Sequence, residues 1–139
     1  DPTPHEEGGI IQDVTLGEKH VAHILGKVDR ELIASKKFKV VLDPINSAGA
    51  ILGPKLLEEL GCEVVIINGE PNGQFAHMPE PLPENLKQLG ETVQAEGTHI
   101  GFAQDPDADR LVVCDENGEV IFEEYTLSLA IKARSLLSR

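Results

Sequence analysis

One short stretch decides how this chain folds: residues 100–110, IGFAQDPDADR. Its first half is apolar and typical of a buried strand, whereas its second half places Asp105, Asp107 and Asp109 at alternate positions before Arg110. Side chains that directly follow a strand lie at its carboxyl end, where open α/β sheets build their sites. The stretch therefore predicts an α/β fold with an acidic site at one edge of its sheet.

The segments before this stretch alternate between strands and helices. Short β-branched runs at Phe38–Leu42 and Val64–Ile67 favour buried parallel strands. Between them, a helix is predicted with Pro54 near its start and an end at Gly61, and a second helix spans about 86–97. This β-α-β-α-β series predicts a parallel sheet with right-handed crossovers and helices over its faces.

The pattern changes after Arg110. Apolar runs at 111–114 and 119–122 flank Asn117-Gly118, a pair that marks a tight hairpin turn, and a last helix is expected from Glu123 to about Leu137. The predicted fold class is therefore α/β, a three-layer α/β/α arrangement. Its sheet is mixed but mostly parallel, because β-α-β-α-β is followed by a hairpin strand.

The domain organisation predicted from the sequence is simple. Residues 1–16 are rich in proline and glycine and indicate an extended segment, and residues 17–139 indicate a single α/β domain. Apolar residues recur at helical spacing between Gly17 and Ser35, so one amphipathic helix is expected there. The chain begins at Asp1 without a methionine, from which we expect it to be part of a longer protein.

Charge and composition restrict the partners. The 24 acidic residues outnumber the 12 basic ones and give a net charge of −12, which argues against nucleic acid and anionic membranes as partners. No apolar run approaches the roughly 20 residues that span a bilayer. Cys62 and Cys114 lie at strand edges and are expected to be buried free thiols of a reducing, cytoplasmic protein, with a disulfide as the alternative.

The three aspartates of residues 105–110, here called the acidic loop, indicate a cation site. Two carboxylates about 4 Å apart repel by roughly 4 kcal/mol at an effective dielectric constant of about 20, so converging acids call for a compensating ion. Oxygen ligands without His or Cys favour Mg²⁺, with Mn²⁺ or Ca²⁺ as alternatives, over Zn²⁺. Arg110 adds a donor suited to phosphate. The alternative is a loop whose acids are simply solvated.

The same spacing also fits an EF-hand calcium loop, in which Glu116 would supply the last ligand. However, the position that requires glycine is Arg110, and the preceding segment is predicted as a strand and not as a helix. Both features argue against an EF-hand. His20 and His23 lie three apart on the first helix without further ligands and are expected to be solvated, and His77 is expected on a surface loop.

Residues 101–110, followed by Val112-Val113 and the 115–118 turn, resemble the metal-binding loop of the α-D-phosphohexomutase superfamily. That group includes phosphoglucomutase, phosphomannomutase and phosphoglucosamine mutase. Residues 41–49, 70–75, and 79–81 with 83–86 resemble further family motifs in the same order, so the match covers about residues 38–126. Ser47 departs from the usual glycine. Family members have four domains, and the resemblance is to the second.

The resemblance implies a function. In such enzymes a phosphoserine of the first domain exchanges its phosphoryl group with a sugar, and so interconverts hexose 1-phosphate and hexose 6-phosphate. Asp105, Asp107 and Asp109 would hold Mg²⁺, for which Mn²⁺ can substitute, and Arg110 would be catalytic, reaching the phosphoserine or the substrate. The partners would be the remaining domains and the hexose phosphate. The chain contains no Ser-His-Asn-Pro-like stretch, so we expect a phosphotransferase fragment that is inactive alone.

Two alternatives belong to other classes. The chain could be a stand-alone divalent-metal-binding interaction module. A phosphatase of the haloacid dehalogenase type also places acids after a strand, but it requires Asp-x-Asp followed by Gly and Thr or Val, which residues 108–110 do not supply. If the chain is a domain of a larger enzyme, apolar surface should be exposed where neighbouring domains pack, and the last helix is the expected place.

Overall fold

Strands and helices alternate along the part of the chain that the structure describes. The structure is a computed structural model that describes residue 13 and residues 15–137, apart from the side chain of Leu137. The strands are β1 (Lys39–Asp43), β2 (Glu63–Ile66), β3 (Ile100–Gln104), β4 (Leu111–Cys114) and β5 (Val120–Ile121). The helices are α1 (Thr15–Leu25), α2 (Arg30–Ser35), α3 (Gly49–Glu59), α4 (Lys87–Glu96) and α5 (Glu124–Leu137), and a 3₁₀ turn covers Pro83–Asn85.

The strands form one sheet in the order β2-β1-β3-β4-β5. β1 pairs in parallel with β2 and with β3, so that Val41 lies opposite Val65 on one side and Gly101 on the other. β3 pairs antiparallel with β4, and β4 antiparallel with β5. Only β4 therefore runs against the common direction of these strands, and the predicted mixed, mostly parallel sheet is confirmed.

Helices cover both faces of this sheet. On one face, Leu86, Leu89 and Val93 of the α4 region pack on Val41 and Ala103 to form a fully buried cluster. Successive residues of a strand point to opposite faces. Leu42 therefore faces the other layer, where it lies so close to α3 that a Cβ at Gly53 would meet it at 2.8 Å. The three-layer α/β/α arrangement is thus present as predicted.

Three predicted elements differ from the observed ones. The single helix expected between Gly17 and Ser35 is two helices, because α1 ends at Leu25 and Asp29 caps a new helix by accepting a hydrogen bond from the Leu32 amide at 2.9 Å. Pro54 lies inside α3, which begins five residues earlier at Gly49. The strand expected over 119–122 shortens to the two residues of β5.

The last helix lies almost entirely on the surface. The exposed fractions of Tyr125, Leu127, Ile131 and Leu136 are 59%, 68%, 61% and 63%. This agrees with the expectation of apolar surface along α5. The extended segment predicted for residues 1–16 lies outside the described residues except at its end, where α1 already begins at Thr15. No helix of the described chain has both the length and the apolarity needed to cross a membrane.

Candidate metal centre

The acidic loop leaves the sheet at the carboxyl end of β3, next to the carboxyl end of β1. β3 lies beside β1 in the interior of the sheet, and its last residue, Gln104, is followed directly by Asp105. Asp105 is 3% exposed, whereas Asp107 and Asp109 are exposed. The loop therefore has one buried carboxylate at its base and two solvated carboxylates above it.

A tight turn brings the three carboxylates together. The amide of Ala108 donates to the carbonyl oxygen of Asp105 at 3.0 Å, and Ala108 itself has φ of +60°. This turn folds residues 107–109 back over Asp105. One oxygen from each of Asp105, Asp107 and Asp109 can then lie within 4.8 Å of the other two. Among the described residues, no other group of three metal-ligating side chains converges in this way.

The acidity of these groups reflects their crowding. The negative charges of Asp107 and Asp105 raise the pKa of Asp109 above its usual value. Burial acts to raise the pKa of Asp105, but hydrogen bonds and the charge of Arg110 outweigh it, so that the pKa of Asp105 is lowered. The loop thus holds more negative charge than Arg110 compensates. A divalent cation would relieve this repulsion.

Arg110 is folded back on the loop. Its Nε donates to Asp105 Oδ2 at 2.9 Å and its backbone amide donates to Asp105 Oδ1 at 3.1 Å, while one terminal nitrogen lies 3.9 Å from Glu123. The Arg110 side chain remains 38% exposed. A carboxylate oxygen has two lone-pair sites, so Asp105 can accept these bonds and still offer an oxygen to a cation. The oxygen-only donor set fits Mg²⁺ or Mn²⁺, and the sequence-predicted ligands are the residues brought together.

The neighbouring turn at the end of β1 belongs to the 41–49 motif, and its polar residues have contacts that the sequence did not indicate. Asp43 is 1% exposed and accepts hydrogen bonds from the Ile45 amide at 3.0 Å and from Asn68 Nδ2 at 3.1 Å. His77 Nε2 lies 3.2 Å from Asp43 Oδ2, and the His77 side chain is only 15% exposed. His77 lies on a largely exposed loop, as predicted, but its ring is half-buried because it turns inward to Asp43.

Asn46 holds the loop after β2 against the same edge of the sheet by hydrogen bonds. Its amide donates to the Asn68 carbonyl at 2.6 Å, its side-chain oxygen accepts from the Glu70 amide at 3.0 Å, and its Nδ2 donates to the Gln74 carbonyl at 3.0 Å. The family motifs at 70–75 and 79–81 are the sequence signals that this loop has a fixed structure. His20 and His23, in contrast, are exposed on α1, as predicted.

Comparisons with known proteins agree with this architecture. The family model described as phosphoglucomutase/phosphomannomutase, alpha/beta/alpha domain II, matches residues 18–118. A phosphoglucomutase/phosphomannomutase of Thermococcus kodakarensis is 43% identical over 128 residues, which are 91% of this chain and 28% of the relative. A protein of Methanopyrus kandleri named "Probable phosphoglucosamine mutase" is 39% identical over 137 residues, 98% of this chain and 29% of the relative.

A solved structure has the same fold. The crystal structure of a phosphoglucomutase/phosphomannomutase family protein from Burkholderia thailandensis superposes with a TM-score of 0.73 at 33% identity, and covers 89% of this chain and 26% of that one. The chain therefore spans just over a quarter of the length of the relatives it matches. It belongs to the phosphoglucomutase/phosphomannomutase family and corresponds to the second, α/β/α domain of that family.

Proposed function

We propose that this chain is the Mg²⁺-binding domain of a phosphohexomutase, an enzyme that interconverts hexose 1-phosphate and hexose 6-phosphate through an enzyme phosphoserine. One observation carries the proposal: the oxygens of Asp105, Asp107 and Asp109 converge within 4.8 Å in a domain that matches the family over residues 18–118. Mn²⁺, which prefers similar ligands, could replace Mg²⁺.

The residues of the acidic loop have separate roles in this proposal. The three aspartates bind the cation, which when bound neutralises negative charge on the oxygens of a transferring phosphoryl group. Arg110 is the catalytic residue of the set, because a guanidinium can bind two oxygens of the same phosphoryl group. Its contact with Asp105 holds the guanidinium beside the cation site, and its exposed end remains available for that group.

The chain needs the rest of a longer protein for turnover. Its net charge of −12 is unfavourable for a phosphorylated sugar, and Arg110 is the only cationic residue of the acidic loop. Most of the positive charge that receives the substrate, and the nucleophilic serine, are therefore assigned to other domains of the parent protein. We expect the isolated chain to have no mutase activity and the parent enzyme to act in cytoplasmic sugar-phosphate metabolism.

Calorimetry tests the metal site. Three carboxylates leave Mg²⁺ with several water ligands, so we expect weak binding by the wild-type chain, with a Kd of about 10⁻⁴ to 10⁻³ M. Asp107→Asn removes one exposed ligand charge and should weaken binding by about tenfold or more. Glu116→Gln removes an exposed charge from the turn at the opposite end of β4 and should leave the binding heat unchanged. Equal binding heats for the wild type and Asp107→Asn would show that the acidic loop is not the Mg²⁺ site.

A chimera tests the enzymatic role. Replacing the matching segment of the Thermococcus kodakarensis relative with this chain should give a protein that retains phosphomutase activity. Asp107→Asn in that chimera should abolish most of the activity, while Glu116→Gln should not. A folded, Mg²⁺-binding chimera without activity would instead favour a metal-binding interaction module.

A further inference from the structure

A second loop contacts the acidic loop between its first two candidate ligands. This β1–α3 turn consists of residues 44–48. Ser47 Oγ donates a hydrogen bond to the carbonyl oxygen of Pro106 at 2.6 Å, and the amide of Ala48 donates to the same oxygen at 3.3 Å. Pro106 separates Asp105 from Asp107 in sequence. The peptide that sets the spacing of these two aspartates is therefore held from outside the acidic loop.

The β1–α3 turn is itself fixed. Ile45 and Asn46 have φ of +49° and +55°, although a β-branched residue such as Ile45 rarely adopts a positive φ. Asp43 Oδ1 holds the Ile45 amide at 3.0 Å, and the amide of Ser47 donates to the Pro44 carbonyl at 2.9 Å. Such a conformation persists only where surrounding contacts determine it. Ser47 thus presents its hydroxyl from a rigid support.

We propose that Ser47 is a positioning residue for the acidic loop. Its hydroxyl fixes the Pro106 peptide and so keeps Asp105 and Asp107 at the separation that a small cation requires. The expected effect of Ser47 on metal binding rests on the proposed function. The hydrogen bond that holds the acidic loop does not, because it is present without metal. Mg²⁺ and Mn²⁺ favour compact sites with little freedom in ligand geometry, and partners outside the ligand set commonly tune metal affinity.

The alternative is that the Ser47 hydroxyl contributes only to general stability. Ser35 provides a matched control, because its Oγ also donates to a backbone carbonyl, that of Leu32, at 2.7 Å. Ser35 ends α2, an element remote in sequence from the acidic loop. Comparing Ser47→Ala with Ser35→Ala separates the loss of a serine hydrogen bond from the loss of this particular one.

Two measurements on the full chain test the proposal. The first is Mn²⁺ affinity by electron paramagnetic resonance, and the second is hydrogen exchange of the Ala108 and Arg110 amides without metal. Both amides donate to Asp105 and report the closed acidic loop. For Ser47→Ala we expect about threefold to tenfold weaker Mn²⁺ binding and exchange faster by a similar factor. Ser47→Thr, which keeps the hydroxyl, should have the Mn²⁺ affinity and the exchange rates of the wild type. Ser35→Ala should change neither quantity.

The outcomes distinguish this inference from the proposed metal site. Wild-type exchange rates in Ser47→Ala, or equal effects of Ser47→Ala and Ser35→Ala, would overturn it. If the wild type binds no Mn²⁺ while Ser47→Ala still accelerates exchange at Ala108 and Arg110, the hold on the loop is supported and the proposed metal function fails. Should Ser47→Ala not fold, the isosteric pair Ser47→Thr and Ser47→Val carries the same test, with faster exchange expected only for valine.

Discussion

Ala108 is the residue on which the turn of the acidic loop depends. Its φ of +60° costs a residue with a Cβ atom about 1–2 kcal/mol, which glycine avoids. Glycine also loses about 0.5–1 kcal/mol more chain entropy on folding. We therefore expect Ala108→Gly to raise the free energy of unfolding, by up to about 1.5 kcal/mol, in chemical denaturation without metal.

Ala95→Gly is the matched control for this change. Ala95 is exposed in α4, where the backbone is helical, so the same substitution there should lower the free energy of unfolding by about 1 kcal/mol. Opposite signs for the two variants are the signature of strain at Ala108. A loss of stability in both would show that the left-handed conformation of the loop costs little.

His77 is the second residue whose role can be measured directly. It is the largely buried partner of Asp43, which is 1% exposed. His77→Ala would leave Asp43 with the Ile45 amide and Asn68 but without the imidazole, and we expect a loss of about 1–3 kcal/mol in the free energy of unfolding. His23→Ala, on an exposed position of α1, should change it by less than about 0.5 kcal/mol. Comparable effects would mean that the Asp43 contact contributes nothing.

The residue scale also shows where sequence reasoning succeeds and where it stops. The convergence of the three aspartates could be predicted, because their alternate spacing and the preceding strand are local features of the sequence. The burial of His77 against Asp43 could not, because it depends on a loop that lies 34 residues further along the chain. The positive φ of Ile45 contradicts the preference of its own side chain, and the adjacent Asn46 amide is held by the carbonyl of Asn68 in the loop after β2, a contact that the sequence does not indicate.

At the scale of elements, α4 and the β4–β5 hairpin meet through two glycines. A Cβ at Gly90 would lie 2.5 Å from the carbonyl oxygen of Gly118, and a Cβ at Gly118 would lie 2.7 Å from the carbonyl oxygen of Gly90. Gln94 of α4 also donates a hydrogen bond to the Asn117 carbonyl. The hairpin turn thus packs directly on α4. This contact fixes the end of β4, the strand that follows the acidic loop.

Gly90→Ala tests this contact. Alanine is the better helix former by about 1 kcal/mol, so helix propensity alone predicts stabilisation. Because the new methyl group meets backbone atoms, we expect instead a loss of about 1–3 kcal/mol in thermal or chemical denaturation. Glu91→Ala, at the adjacent exposed position, should stay within about 0.5 kcal/mol of the wild type. A Gly90→Ala variant more stable than the wild type would refute the close approach.

Element types followed from periodicity, but several boundaries did not. The first predicted helix is split because Asp29 caps the start of α2. The sequence shows this aspartate, but the apolar residues at helical spacing continue across it and favour a single helix. The early start of α3 depends on small residues, Gly49 and Gly53, that allow the helix to lie against β1 and β3. Such close packing becomes apparent only when the sheet is in place.

At the scale of the whole molecule, charge and apolar surface are unevenly distributed. The chain has a net charge of −12, and three of its acids converge at the acidic loop, while α5 presents apolar side chains to solvent. An apolar face of this kind usually marks an interaction surface. The relatives extend well beyond the segment that matches this chain, and under the proposed function we expect this face to pack against further domains of a longer protein.

Polar substitutions on α5 test whether this face is free in the isolated chain. Leu127 and Ile131 lie four residues apart on one side of the helix and are 68% and 61% exposed, so Leu127→Gln with Ile131→Gln should alter the free energy of unfolding by less than about 1 kcal/mol. The same double variant should bind an apolar fluorescent dye less strongly and self-associate less in sedimentation velocity. Met78→Gln, at a loop residue that is 67% exposed, should leave both signals unchanged. If the double variant instead unfolds the chain while the dye signal stays constant, α5 packs against the described fold and the exposed face does not exist in solution.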